Sequence, residues 1–167
     1  MPERKTMKRA LRDKREGTAP GTQAGEFVRE EMDHIREGRH GARSTKQAIA
    51  IGLSKARRAG VDLPPPKNGK TSEKTRLGAK RAYQAGHDGA IKPPSPKRSR
   101  AAERALQREP HAAATKSSLS KQASTAAHKR SKADRSASAR RAAMTKGVAG
   151  RAAAARKAAR TRAKSGD

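Results

Sequence analysis

The stretch S-T-K-Q-A-I-A-I-G-L-S-K-A-R-R-A-G-V at residues 44–61 carries both its own start and its own stop, and the rest of the chain has to fold around it. Ser44 is placed to cap a helix, and Gln47, three residues on, to reach back to the Ser44 backbone N–H, as in a capping box. Ile49, Leu53 and Ala56 then recur at helical spacing and form one apolar stripe, with Ala48 and Ala59 at its margins. Gly60 tolerates the left-handed conformation that closes a Schellman ending, and Val61 can fold back onto Ala56. Pro64, Pro65 and Pro66 forbid a restart. The helix has Lys46, Lys55, Arg57 and Arg58 as its charges and no acid, so its polar face is expected to be cationic and to meet phosphates. A purely structural role near the negative helix end is the competing reading for Lys55, Arg57 and Arg58.

The flanking sequence limits how large a core this helix can join. Leu, Ile, Val and Phe together supply 14 of 167 residues, below the roughly 20% at which a highly charged chain tends to lose its fold. One large core is therefore excluded. The formal charge of +27 attracts polyanions whatever the fold. Phe27 and Tyr83 are the only aromatics, so the stacking platforms of single-strand and RNA-reading modules are missing. Duplex backbone binding does not need them. The absence of Cys removes disulfides, thiolate zinc sites and Cys nucleophiles. With no apolar leader and no apolar run near 18 residues, an intracellular protein without a membrane span is expected.

The expected class is all-α. Residues 3–16 read as a helix with Met7 and Leu11 four apart and Gly17 as its stop. Thr22 is placed to cap a second helix running to about Glu37, with Gly38 ending it. Ala24, Phe27, Val28, Met32 and Ile35 make its stripe. Residues 22–38 hold five acids against two arginines, whereas residues 39–60 hold six basic residues and no acid. An acidic helix followed by a basic one, joined by R-H-G-A-R, predicts an antiparallel hairpin with Phe27, Met32 and Ile35 packed on Ile49 and Leu53.

That hairpin, or a three-helix module, is expected over residues 1–63. Residues 64–94 read as a Pro/Gly-rich linker with a possible short helix from Glu73 to Ala85 capped by Ser72 and weakened by Gly78. Residues 95–109 read as a basic helix opened by Ser95 and Pro96. Residues 110–167 read as a Lys/Arg/Ala-rich tail, disordered or conditionally helical, with 15 basic residues against Asp134 and Asp167. A-R-R-A-A-M-T-K from Ala139 returns as A-R-K-A-A-R-T-R from Ala155.

No catalytic constellation is expected. N-G-K-T-S at 68–72 lacks the earlier glycine of a phosphate-binding loop, because that position is Pro64, and no strand precedes it. The five histidines show no metal-ligand spacing with carboxylates on one face and are expected in solvent. Glu30 and Glu31 are likewise expected on a solvated helix face, with no cleft to make them acid or base. The reading is non-enzymatic, with no cofactor, no metal and no small-molecule substrate.

S-P-K-R at 95–98, followed by Ser99 and Arg100, resembles the Ser-Pro-basic-basic repeats of linker-histone tails, which associate with AT-rich minor grooves. Lys97, Arg98 and Arg100 are candidate contacts on that likeness, against the alternative of a helix N-terminus that is simply basic. In the tail, Arg140, Arg141, Lys146, Arg156, Lys157, Arg160 and Arg162 are candidate phosphate contacts, because neutralising each phosphate releases counterion independently of sequence.

The opening M-P-E-R-K-T, the segment T-Q-A-G-E-F-V-R-E-E-M-D-H-I-R-E-G-R-H-G-A-R-S-T-K-Q-A-I-A-I-G-L-S-K-A-R-R-A-G-V and the following L-P-P-P-K resemble a family of small basic bacterial proteins. It is a domain of unknown function whose members are loosely labelled DNA-binding or plasmid-stabilisation proteins. The resemblance covers roughly residues 1–75 and implies no catalytic residue. The tail resembles bacterial linker-histone-like proteins in composition.

The expected function is sequence-independent binding of duplex DNA in the manner of a nucleoid-associated protein, cytoplasmic in a bacterium or nuclear in a eukaryote. RNA or the ribosome is the alternative partner. A third reading has the acidic helix, through Glu30, Glu31 and Asp33, hold a basic protein.

Overall fold

The computed structural model describes residues 2–88 and 95–165, the side chains of Lys146, Lys164 and Ser165 excepted. Among the described residues the fold is all-α: α1 (Arg4–Arg15), α2 (Pro20–Arg36), α3 (Thr45–Arg58), α4 (Glu73–His87), α5 (Pro96–Gln107), a 3-10 turn (His111–Ala114), α6 (Lys116–His128) and α7 (Lys132–Ser165). The chain divides into two compact units, Met1–Gln122 and Ala123–Asp167.

The centre of the first unit is the antiparallel pair α2 and α3. Met32 and Ile35 near the end of α2 cluster with Ala48 near the start of α3, while Phe27 clusters with Ala56 and Val61 at the other end. Ile49 and Leu53 flank these clusters, as the stripe predicted. The face of α3 that is buried, however, is Thr45, Ala48, Gly52 and Ala56. These small side chains recur every three or four residues and let the two helix backbones approach. A Cβ on Gly52 would stand 2.7 Å from Val28 Cα.

The helix ends of α3 follow from local chemistry. Ser44 Oγ accepts from the Gln47 N–H at 3.2 Å. Gln47 Oε1 accepts from the Arg43 N–H at 2.9 Å, so the return half of the box lands one residue upstream of the expected Ser44. At the far end, Gly60 takes φ +81 and the Val61 N–H donates to the Ala56 carbonyl at 3.1 Å, the bond of a Schellman ending.

Two expectations for the first helices are corrected. α1 turns Thr6 and Ala10 inward, with Met7 beside them, whereas Leu11 stays 48% exposed. The narrow groove against α2 favours the small side chains. α2 starts at Pro20 rather than after Thr22, because proline suits the first turn, where its missing N–H has no intrahelical acceptor to lose.

Residues beyond 63 add to this unit. α4 is capped by Ser72, whose Oγ accepts from the Thr75 N–H at 3.3 Å. It packs on α3 through Ala79 and Ala82, and Tyr83 donates to Asp62 Oδ1 at 2.7 Å. The segment after α5 is laced onto the turn between α2 and α3. The Gly41 and Ala42 N–H groups donate to the Leu106 and Pro110 carbonyls, and Thr45 Oγ1 donates to the Ala113 carbonyl at 2.7 Å. Ala113 and Ala114 join the cluster of Met32 and Ile35, with Leu119 packed on it. The start of the expected tail thus completes a core.

The described residues of the second unit are helical outside residues 129–131. α7 is interrupted at Gly147, whose φ of 62 and ψ of −178 lie in a region that only glycine adopts readily. Across the interruption the Arg151 guanidinium donates to the Ala143 carbonyl at 2.7 Å, satisfying one of the carbonyls that the first half leaves open.

Candidate nucleic-acid interface

The four cations of α3 divide into two pairs. Lys46 and Arg58 are exposed on the outer side, in line with Ala50 and Ser54 along one i, i+4 row. Twelve residues separate them, about 18 Å along the helix axis at 1.5 Å per residue. Lys55 and Arg57 are turned inward. Lys55 Nζ lies 2.7 Å from Glu31 Oε2 and 3.3 Å from Glu30 Oε1. Arg57 is 7% exposed and donates to the Leu63 and Pro64 carbonyls, fixing the chain as it leaves the helix. Burial pulls its guanidinium below the ordinary value.

Glu30 and Glu31 were expected in solvent and are instead 3% and 0% exposed. Between them stands the one lysine of α3 that can reach, so the charges compensate inside the fold. Burial pushes the Glu30 carboxyl up, but the Glu3 backbone N–H, the Thr6 hydroxyl and the Lys55 ammonium together bring it below its ordinary value. Glu26 pairs with Arg9 at 2.7 Å, and Asp33 with Arg36 at 3.3 Å. The acids of α2 thus have partners within the chain.

His34 and His40 are also corrected. Their side chains are 14% and 15% exposed, and their nitrogens gather with the Glu31 carboxylate. Glu3 closes the edge of this group: His34 Nε2 lies 2.9 Å and Arg39 Nη1 2.8 Å from its Oε1, and these two contacts hold the Glu3 carboxyl below its ordinary value. The sequence did hold a signal. Glu31 and His34 are three residues apart on one helix, so their side chains share a face. His40 reaches them only because the turn after α2 folds back.

Among the remaining candidates, Lys97, Arg98 and Arg100 are exposed on α5, where Arg100 Nε bonds the Pro96 carbonyl at 3.4 Å. Ser95 begins this helix without a side-chain cap bond. Arg140, Arg141, Arg156, Lys157, Arg160 and Arg162 are exposed on α7, with Arg140 bonded to Ser136 Oγ at 3.2 Å. The Lys146 side chain lies outside the described residues. Sequence reasoning passed over Lys74, Lys80 and Arg81, which are exposed on α4 away from the buried Ala79 and Ala82. Reading Ala79 and Ala82 as a packing face would have turned those three cations outward.

The segment that builds α1, α2 and α3 has relatives in sequence. Residues 3–67 match the family of unknown function DUF6496. The match ends ahead of α4. No curated protein and no solved structure matches the chain.

Proposed function

We propose that this chain is a non-enzymatic, largely sequence-independent duplex-DNA-binding protein of the nucleoid-associated, linker-histone-like type, acting in the bacterial cytoplasm. The observation that carries the reading is α7: eleven Lys or Arg against Asp134 alone over residues 132–165, with its described basic side chains exposed. A helix of that charge density gains free energy by displacing counterions from a phosphate backbone, with no base contact required. Its few stabilising side-chain contacts and mutual repulsion also make its helicity dependent on neutralisation.

The first unit supports the same reading through its outer cations. Internal ion pairs occupy much of its acid, so Lys46, Arg58, Lys74, Lys80 and Arg81 meet solvent. Two modest sites on one chain reinforce each other through effective concentration. Lys97 and Arg98 on α5 add cations suited to a narrow, electronegative groove.

The test is binding to a random-sequence duplex across a salt series, comparing the full chain with a form ending at residue 131. A slope of log affinity against log salt of about −5 or steeper for the full chain, clearly shallower without α7, supports the reading. Equal slopes refute the role of α7. Preference for structured RNA over duplex DNA in competition refutes the choice of DNA.

A further inference from the structure

We propose that Glu31, His34 and His40 form a binding site for one divalent transition-metal ion of the zinc type. Their three donor atoms lie within 4.8 Å of one another. Ligand atoms around tetrahedral zinc, at 2.0–2.1 Å from the ion, stand roughly 3.3 Å apart, so closing the site needs movements of about 1.5 Å or less. Side-chain rotation supplies that without moving a helix.

The surroundings fit an ion better than they fit an empty cluster. Glu31 is fully buried, yet neither carboxylate oxygen receives a well-formed hydrogen bond. Lys55 Nζ approaches Oε2 at 2.7 Å, and His40 Nε2 stands 3.4 Å from Oε1. Oε1 is therefore the atom left open, and it faces an imidazole nitrogen. His40 Nδ1 lies 3.0 Å from the Gly41 carbonyl, and donation there leaves Nε2 with its lone pair towards Glu31. Glu3 Oε1 lies 2.9 Å and Arg39 Nη1 3.1 Å from His34 Nε2, so that nitrogen is engaged at the edge of the group and Nδ1 would be the ligand atom of the second ring.

Charge and donor type narrow the ion. Two imidazoles and one carboxylate oxygen suit zinc, cobalt or nickel and disfavour calcium and magnesium, which require mostly oxygen. Lys55 offsets the second Glu31 oxygen, so the ion meets a site of low net charge and is held chiefly by the two nitrogens. Three protein ligands leave a fourth position for water. Occupation ties the turn at His40 to α2, and that turn also carries the Gly41 and Ala42 bonds to residues 106 and 110.

Zn(II) titrated calorimetrically into the chelator-treated full chain is expected to show one saturable equivalent, with Co(II) absorption as a second probe of imidazole ligation. His34→Gln and His40→Gln are each expected to weaken it at least tenfold, while His128→Gln, exposed on α6, leaves it unchanged. No saturable equivalent, or affinity unaltered in both His34→Gln and His40→Gln, overturns the proposal. Because either variant can loosen the fold, the unaltered chain provides an independent reading by NMR. Zn(II) should shift the ring protons of His34 and His40, and shifts confined to His87, His111 or His128 overturn the site.

Discussion

Gly52→Ala tests whether the approach of α2 and α3 holds the first unit together. The new Cβ would stand 2.7 Å from Val28 Cα and 3.0 Å from both its N and Cγ2. Ordinary carbon contacts lie at about 3.5–4.0 Å, so the helices must part by roughly 1 Å or the alanine must strain. Backbone atoms of Val28 cannot rotate away. Overpacking of this kind costs about 1–3 kcal/mol, against a helix-propensity gain of up to about 1 kcal/mol for replacing glycine. A net loss of about 1–2 kcal/mol is expected, or several degrees in Tm. Gly78→Ala isolates the propensity term, because nothing lies within 4 Å of a Cβ built there, and it should stabilise by about 0.5–1 kcal/mol. Urea unfolding followed by helical ellipticity measures both, since the chain has no Trp. If Gly52→Ala stabilised as much as Gly78→Ala, the close-packing argument would be refuted.

Three further outcomes are expected. Lys55→Met leaves Glu30 and Glu31 without their shared cation and should cost about 3 kcal/mol in denaturant unfolding at neutral pH, whereas Lys46→Ala and Arg58→Ala should stay within about 0.5 kcal/mol of the parent. Tyr83 donates to Asp62, and that hydrogen bond raises the phenol above its ordinary 10.0; as the chain's only tyrosine it can be followed by phenolate absorbance, and Asp62→Asn should lower the midpoint. This contribution to stability is present at lower pH and is lost as pH rises through the raised value. Glu3 and Glu30 have the opposite sign: both carboxyls are lowered in the fold, so their contribution is full above the ordinary 4.5 and disappears as pH falls through the lowered values. Tm measured on acidification should drop there, and Glu30→Gln should flatten the drop.

Local chemistry made much of the secondary structure legible. Ser44, Gly60, Gly38, Ser72 and Pro96 mark helix ends by what their own side chains and backbones allow, and neighbours in the fold hardly alter that. The apolar stripe of α2 was legible too, because Phe27, Met32 and Ile35 have few other places to go in a chain so poor in large apolar residues. The same reasoning failed on small residues. It placed Met7, Ile49 and Leu53 correctly beside the core but also named Leu11, which stays exposed, and it passed over Thr6, Ala10 and Gly52, because a tight helix pair selects side chains that permit approach.

What the sequence alone determined is therefore the all-α class, most of the helix ends, and the overwhelming basic charge with its concentration towards the C-terminal residues. Only the tertiary structure decided which charges remain outside. Lys55, Arg57, Glu30 and Glu31 read as surface residues by type, and they are inside because Lys55 reaches both carboxylates and Arg57 finds two carbonyls at the helix exit. It also brought His40 to Glu31 and residues 106–119 onto the α2–α3 turn. Burial of a charge depends on a partner arriving from elsewhere in the chain, and a pattern read along one helix has no knowledge of that partner.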